Sequence, residues 1–246
     1  MTIRRYRLLV RRVLQRSAGP IGLLWGLATM LLLALSLVLV SQGVEWVETG
    51  RLTVSGALPG VAAFGAVVVL DMFRKALYRP LQRVVSGDKH SLRVGEVAAL
   101  AGERMGAVLV ATVAIVAIIT ALQWLLSQLG LSEFSGIAMV VAGLTLQMAI
   151  YFAATGSGAI ESLDRALTAA RRHTCWVLGI PAVLLCLSAL PGLLDGGGLW
   201  RTGISISDFG IVDFVRALSM WMSFEYLRWI TVSAAYIGVD DATTTP

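Results

Sequence analysis

Asp213, Arg216, Glu225 and Arg228 interrupt an apolar stretch near the C-terminal end of this 246-residue chain. Asp213 and Arg216 are three residues apart, as are Glu225 and Arg228, so on a helix each pair shares one face on successive turns. Trp221, Tyr226 and Trp229 flank the second pair. A charge in lipid is costly, so it faces protein or a water-filled cavity and marks a candidate functional site. Three readings stay open. Glu225 and Arg228 neutralise each other and fix helix packing; Glu225 carries a function, in the limit that of an ion- or proton-coupled carrier; or the helix runs obliquely and Arg228 reaches the interface. Asp71 and Arg74 repeat the same spacing, as partners of the later charges or as markers of a membrane boundary.

Other chemistry is sparse. Gln147, Tyr151 and Thr155, four apart, make a polar stripe that either lines a cavity or hydrogen-bonds a neighbouring helix. The histidines, His90 and His173, lie beside charged segments, and no Cys, His and carboxylate set has metal-ligand spacing. Gly196, Gly197 and Gly198 lack the lysine of a phosphate loop and read as a flexible loop. Ser-His-Asp catalysis would need a histidine elsewhere. The expectation is a chain that is not an enzyme and has no cofactor and no metal. Cys175 and Cys186 share one apolar segment; eleven residues of helix separate them by about 16 Å, too far for a disulfide.

The elements that hold these residues are set by composition. The chain is 57% hydrophobic and only 14% charged, where soluble domains carry about 25% charge. A water-facing surface needs those charges and a lipid-facing one excludes them. Six apolar stretches stand out: 20–40, 54–70, 105–126, 136–155, 175–194 and 211–238, the first covering a bilayer core of about 30 Å. The first is too long for the apolar core of a signal peptide, so it is expected to remain as a span. The expected fold is all-α, a six-transmembrane-helix bundle. Gly22 and Gly26, and Gly56 and Gly60, are small-residue spacings that let helices pack closely within it.

Charge orients the bundle. The net charge is +5, and all lysines and arginines except Arg51, Arg201, Arg216 and Arg228 fall in 4–16, 74–104 or 165–172. Basic loops stay on the cytoplasmic side, which predicts a cytoplasmic-membrane protein with both termini inside. No interleaved aromatic and basic pattern points to nucleic acid. Segments 3–16, 91–104 and 160–173 read as amphipathic interfacial helices. In the first, Tyr6, Leu9, Val10, Val13 and Leu14 share one side. The last two align at a spacing of 68, pairing Glu96 with Asp164, Ala98 with Ala166, Ala101 with Ala169 and Arg104 with Arg172, so the chain reads as three units of amphipathic helix plus membrane hairpin.

The segment 156–180, with Glu161, Leu163, Ala166, Leu167, Arg171 and Arg172, resembles an element of membrane proteins similar to the glycerophosphoryl diester phosphodiesterase membrane domain and its archaeal relatives. Segment 91–110 looks like an earlier copy. The resemblance implies a helical bundle without its own active site, catalysis in that family lying in a separate soluble domain; helix 3–16 departs from the pattern in being far more basic. Two functions stand as expectations: an accessory or scaffold protein whose cytoplasmic helices organise the lipid bilayer or a partner protein, or a permease subunit driven by a separate cytoplasmic ATPase.

Overall fold

The computed structural model describes residues 1–49, 54–87, 92–184, 186–187 and 211–244. Among them the protein is helical throughout. The elements are α1 (Ile3–Ser17), α2 (Pro20–Thr49), α3 (Val54–Ala76), α4 (Tyr78–Ser86), α5 (Val94–Gln128), α6 (Ser132–Thr155), α7 (Ala159–Arg172), a π-helical turn (Cys175–Gly179) and α8 (Ile211–Thr244). Among the described residues three helical stretches are long and apolar enough to cross a membrane: Pro20–Leu39, Val94–Gln128 and Ser135–Thr155. Their apolar side chains are largely on the outside, as at Leu23, Leu27 and Leu31 of α2 and Leu109, Val110, Val113 and Val116 of α5. Exposed apolar stripes of that length suit lipid as the solvent, not water.

The other expected spans are helical in part. Stretch 54–70 lies in α3, with Val61, Phe64 and Val69 exposed. The fifth gives a short apolar helix, Cys175–Leu184; 188–194, the glycines at 196–198, Arg51 and Arg201 lie outside the described residues. The sixth lies in α8, longer than expected and interrupted by charge.

Two boundaries differ from the sequence reading, each for a local reason. Segment 91–104 is not a separate interfacial helix. From Val94 it runs unbroken into the span as one 35-residue helix, because no proline interrupts it and Glu96 caps its start, its carboxylate accepting the Arg93 N–H at 2.9 Å. A helix not foreseen, α4, comes after α3 instead. Pro80 has no N–H to give the Ala76 carbonyl, so α3 stops there and α4 starts anew. Tyr78, Pro80, Leu81, Val84 and Val85 are its buried face.

The chain forms two compact units, one of Met1–Leu14, Ile118–Met148 and Asp164–Pro246, the other of Gln15–Ala117 and Ala149–Leu163. In the first, the C-terminal half of α8 is the core. Trp229, Ile230, Val232 to Ile237 and Val239 are all buried, as expected of a helix enclosed on every side. In the second, α2 packs along α3, burying Ile21, Trp25, Ala28 and Thr29 on one face; the Thr29 hydroxyl donates to the Trp25 carbonyl at 2.8 Å and so needs no other partner.

Candidate functional site

Of the residues singled out from sequence, Glu225 and Arg228 form an ion pair within α8, 2.7 Å apart, with side chains 13% and 36% exposed. Tyr226 stacks on Trp229 beside them, ring centres 6.0 Å apart. Asp71 is paired twice within α3, to Arg74 at 3.0 Å and Lys75 at 2.6 Å, so the described geometry ties it to its own helix. Asp213 and Arg216 have backbones in α8, and their side chains lie outside the described residues. In the polar stripe of α6, the Thr155 hydroxyl donates to the Tyr151 carbonyl of its own helix at 3.0 Å. Tyr151 is fully buried and meets Tyr78 edge-on, ring centres 5.6 Å apart. Cys175 and Cys186 are free thiols, both exposed. Among the described residues no three His, Cys, Asp or Glu side chains gather as a metal ion would require.

Two clusters that periodicity did not reveal stand out, one in each unit. In the first, α1 is fastened to the C-terminal half of α8. The Tyr6 hydroxyl donates to the Thr231 carbonyl at 3.3 Å, and its ring meets Trp176 of the π-helical turn at 5.0 Å. Burial pushes the Tyr6 phenol up to about 12. Arg5 pairs with Asp241 at 3.3 Å, both largely exposed. Arg165 of α7 pairs with Asp240 at 2.7 Å, and that carboxylate is only 10% exposed. A Cβ on Gly238 would crowd Met1 Sδ and come within 2.9 Å of Leu9 Cδ1, so glycine is what lets α1 approach so closely. His173, between α7 and the π turn, is held below the usual histidine range, by burial first and then by the amino terminus and Arg172. The buried stripe of α1 is Leu9, Val13 and Ser17, with Tyr6 and Val10 half-buried; Leu14, expected on that side, is exposed. On a 100° wheel Leu14 falls about a quarter-turn off the stripe, and Ser17 takes its place.

In the second unit, Arg79 of α4 reaches Glu103 of α5, 3.1 Å away. Arg79 is 15% exposed and Glu103 58%. Burial foremost, then Arg104, lowers the Arg79 pKa; Glu103 opposes that and Arg83 adds to it. The Arg104 Nε is buried and has no hydrogen-bond acceptor among the described residues. Its Nη2 stands 3.8 Å from where a Cβ on Gly156 would be. Gly156 turns the chain from α6 to α7 at φ +151, a conformation L side chains rarely adopt.

The starts of α5 and α7 use the same device. Glu96 caps the Arg93 N–H and Glu161 the Gly158 N–H, at 2.9 and 3.4 Å. Burial keeps the same phase, Val97 and Ala101 matching Ser162 and Ala166. The structural correspondence is therefore Glu96 with Glu161, not with Asp164. No protein-family model, curated protein or solved structure matches the chain.

Proposed function

We propose that this chain is a six-span protein of the cytoplasmic membrane with both ends in the cytoplasm, acting as a non-enzymatic scaffold or accessory protein that organises lipid or a partner protein. The observation that carries the reading is the docking of α1 on the C-terminal half of α8 through Tyr6, Leu9 and Arg5. It brings the first and last helices together, and two ends on one side call for an even number of crossings. Three candidate spans among the described residues are odd in number; α3, the short helix Cys175–Leu184 and α8 are the helices available to complete six. The basic residues supply the orientation. Arg4, Arg7, Arg11 and Arg12 are exposed on α1, which joins the apolar α2 after only two residues. A polybasic helix so placed suits an anionic membrane surface. The resemblance to the phosphodiesterase membrane domain enters this proposal only as a bundle lacking its own active site.

One observation favours the permease subunit as a second reading. The short helix α4 lies between α3 and α5, where a membrane subunit driven by a separate ATPase needs an element to receive force. Recovery of the tagged protein from its native membrane in mild detergent, with mass spectrometry of its companions, separates the two. The scaffold reading expects lipid or a non-ATPase partner, whereas a stoichiometric ATPase would replace it with the permease. Labelling of single cysteines placed at 87 and 158, expected inside, and at 50 and 131, expected outside, tests the topology.

A further inference from the structure

In the second unit Arg79 of α4 holds the Glu103 carboxylate of α5, with Arg104 next to Glu103 in the chain and both Arg104 and Arg83 near enough to act on Arg79. Arg79 and Arg83 lie one turn apart on α4, Arg104 is the eleventh residue of α5, and among the described residues Glu103 pairs with Arg79 alone. Among the described residues Arg104 forms no ion pair, and its Nε is a buried donor without an acceptor. Burying a charged donor unanswered is costly, and so is keeping Arg104 close to the largely buried Arg79. An anion relieves both. The planar fork of arginine matches a phosphate group bidentately. The level is also right: the outward face of α5 turns apolar at Leu109 and Val110, about 8 Å along the helix from Arg104. Glu103, more than half exposed, can swing aside or compete.

We propose that Arg79, Arg83 and Arg104 bind a phosphate group. Its source is the headgroup of an anionic phospholipid, given the nearness of the apolar face of α5; a free phosphate offers the same chemistry from solution. The site rests on the membrane reading above but not on the choice of partner, so an ATPase found in the pull-down would remove the scaffold and leave the site standing.

The test uses the full-length chain in neutral detergent. Its melting temperature is titrated with phosphatidylglycerol, phosphatidylcholine and inorganic phosphate, and native mass spectrometry counts retained lipid. Phosphatidylglycerol raises the melting temperature and phosphatidylcholine does not. R104Q and R79Q each weaken phosphatidylglycerol binding about tenfold, the usual size of one charge-assisted contact. E103Q strengthens it, because a competing carboxylate is gone. R171Q, which removes the same charge from an exposed site on α7, leaves it within about twofold. A saturable shift with inorganic phosphate that displaces the lipid, sensitive to R104Q, upholds the site and makes the soluble anion its ligand. Should R104Q fail to fold, R104K and R83Q decide, Arg83 being exposed. Binding unchanged in both, or weakened equally by R171Q, overturns the proposal.

Discussion

The two charged clusters are built on opposite balances. In the unit containing α8, Arg5 has Asp241 and Arg165 has Asp240. In the other, Glu103 pairs with Arg79, while Arg83 and Arg104, which both act on Arg79, form no ion pair among the described residues. Matched charges fasten one element to another and are satisfied when they have done so. Outnumbered carboxylates leave donors to spare, and spare buried donors are useful only to something that arrives from outside. The first cluster should therefore respond to mutation as a question of stability, the second as a question of what is bound.

The largest expected effect is at Arg165. Arg165→Ala leaves the Asp240 carboxylate buried without its guanidinium and lowers stability by about 2 kcal/mol in chemical unfolding. Replacing both, with Met at 165 and Leu at 240, recovers most of that loss; if the double change is worse than the single, the pair is not the tie described. Next comes Trp176→Ala, which removes the ring under Tyr6 and costs about 1.5 kcal/mol. Limited proteolysis should then cut α1 well before the rest of the chain. In α8, Arg228→Ala costs about 1 kcal/mol, discounted because Arg228 is partly exposed, and changing Glu225 and Arg228 together costs less than that. A double change that folds normally yet loses activity would give Glu225 a role beyond packing.

Acid and alkali sharpen the comparison further. His173 has a lowered pKa in the folded protein, so its contribution is present above the unfolded value near 6.5 and is lost as pH falls below it. Tyr6 has a raised pKa, so its contribution is present below 10 and is lost as pH climbs towards about 12. Proteolysis of α1 against pH should show protection between those limits, and His173→Phe should remove the acid limb. The smallest effect is at Arg5: the exposed pair with Asp241 is worth less than about 0.5 kcal/mol, and a larger loss in Arg5→Ala would show that it steers the docking of α1.

The sequence was legible wherever a single helix determines its own features. The bounds of α1 and α7 came from their periodicity, and the apolar stretches from their composition. The ion pair of Glu225 and Arg228 was visible because its partners share a face. Helix α4 is less legible: Leu77, Leu81, Val84 and Val85 repeat at helical spacing, but its arginines give it the composition of a basic loop. The spacing of 68 between the α5 and α7 segments matched residue types, whereas caps and burial obey the position of the first turn. The ties of Arg79 to Glu103, of Arg165 to Asp240 and of Tyr6 to Trp176 join residues far apart in the chain, and no local pattern encodes them.

The π-helical turn at Cys175–Gly179 separates α7 from the apolar helix beyond it by more than a change of composition. The Val177 N–H still reaches the His173 carbonyl at 3.0 Å, and the widened turn then lies just ahead of Pro181, whose ring would crowd the carbonyl of residue 177 in a regular helix. A wide turn holds one residue more than an α-helical one, so it acts as a phase shifter of about 100°. Residues before it and after it belong to different helical wheels. Deleting one residue from 175–179 should return the turn to α geometry, swing Pro181 and Val183 round by that angle, and present a different stripe to lipid while leaving the sequence hydropathy almost unchanged.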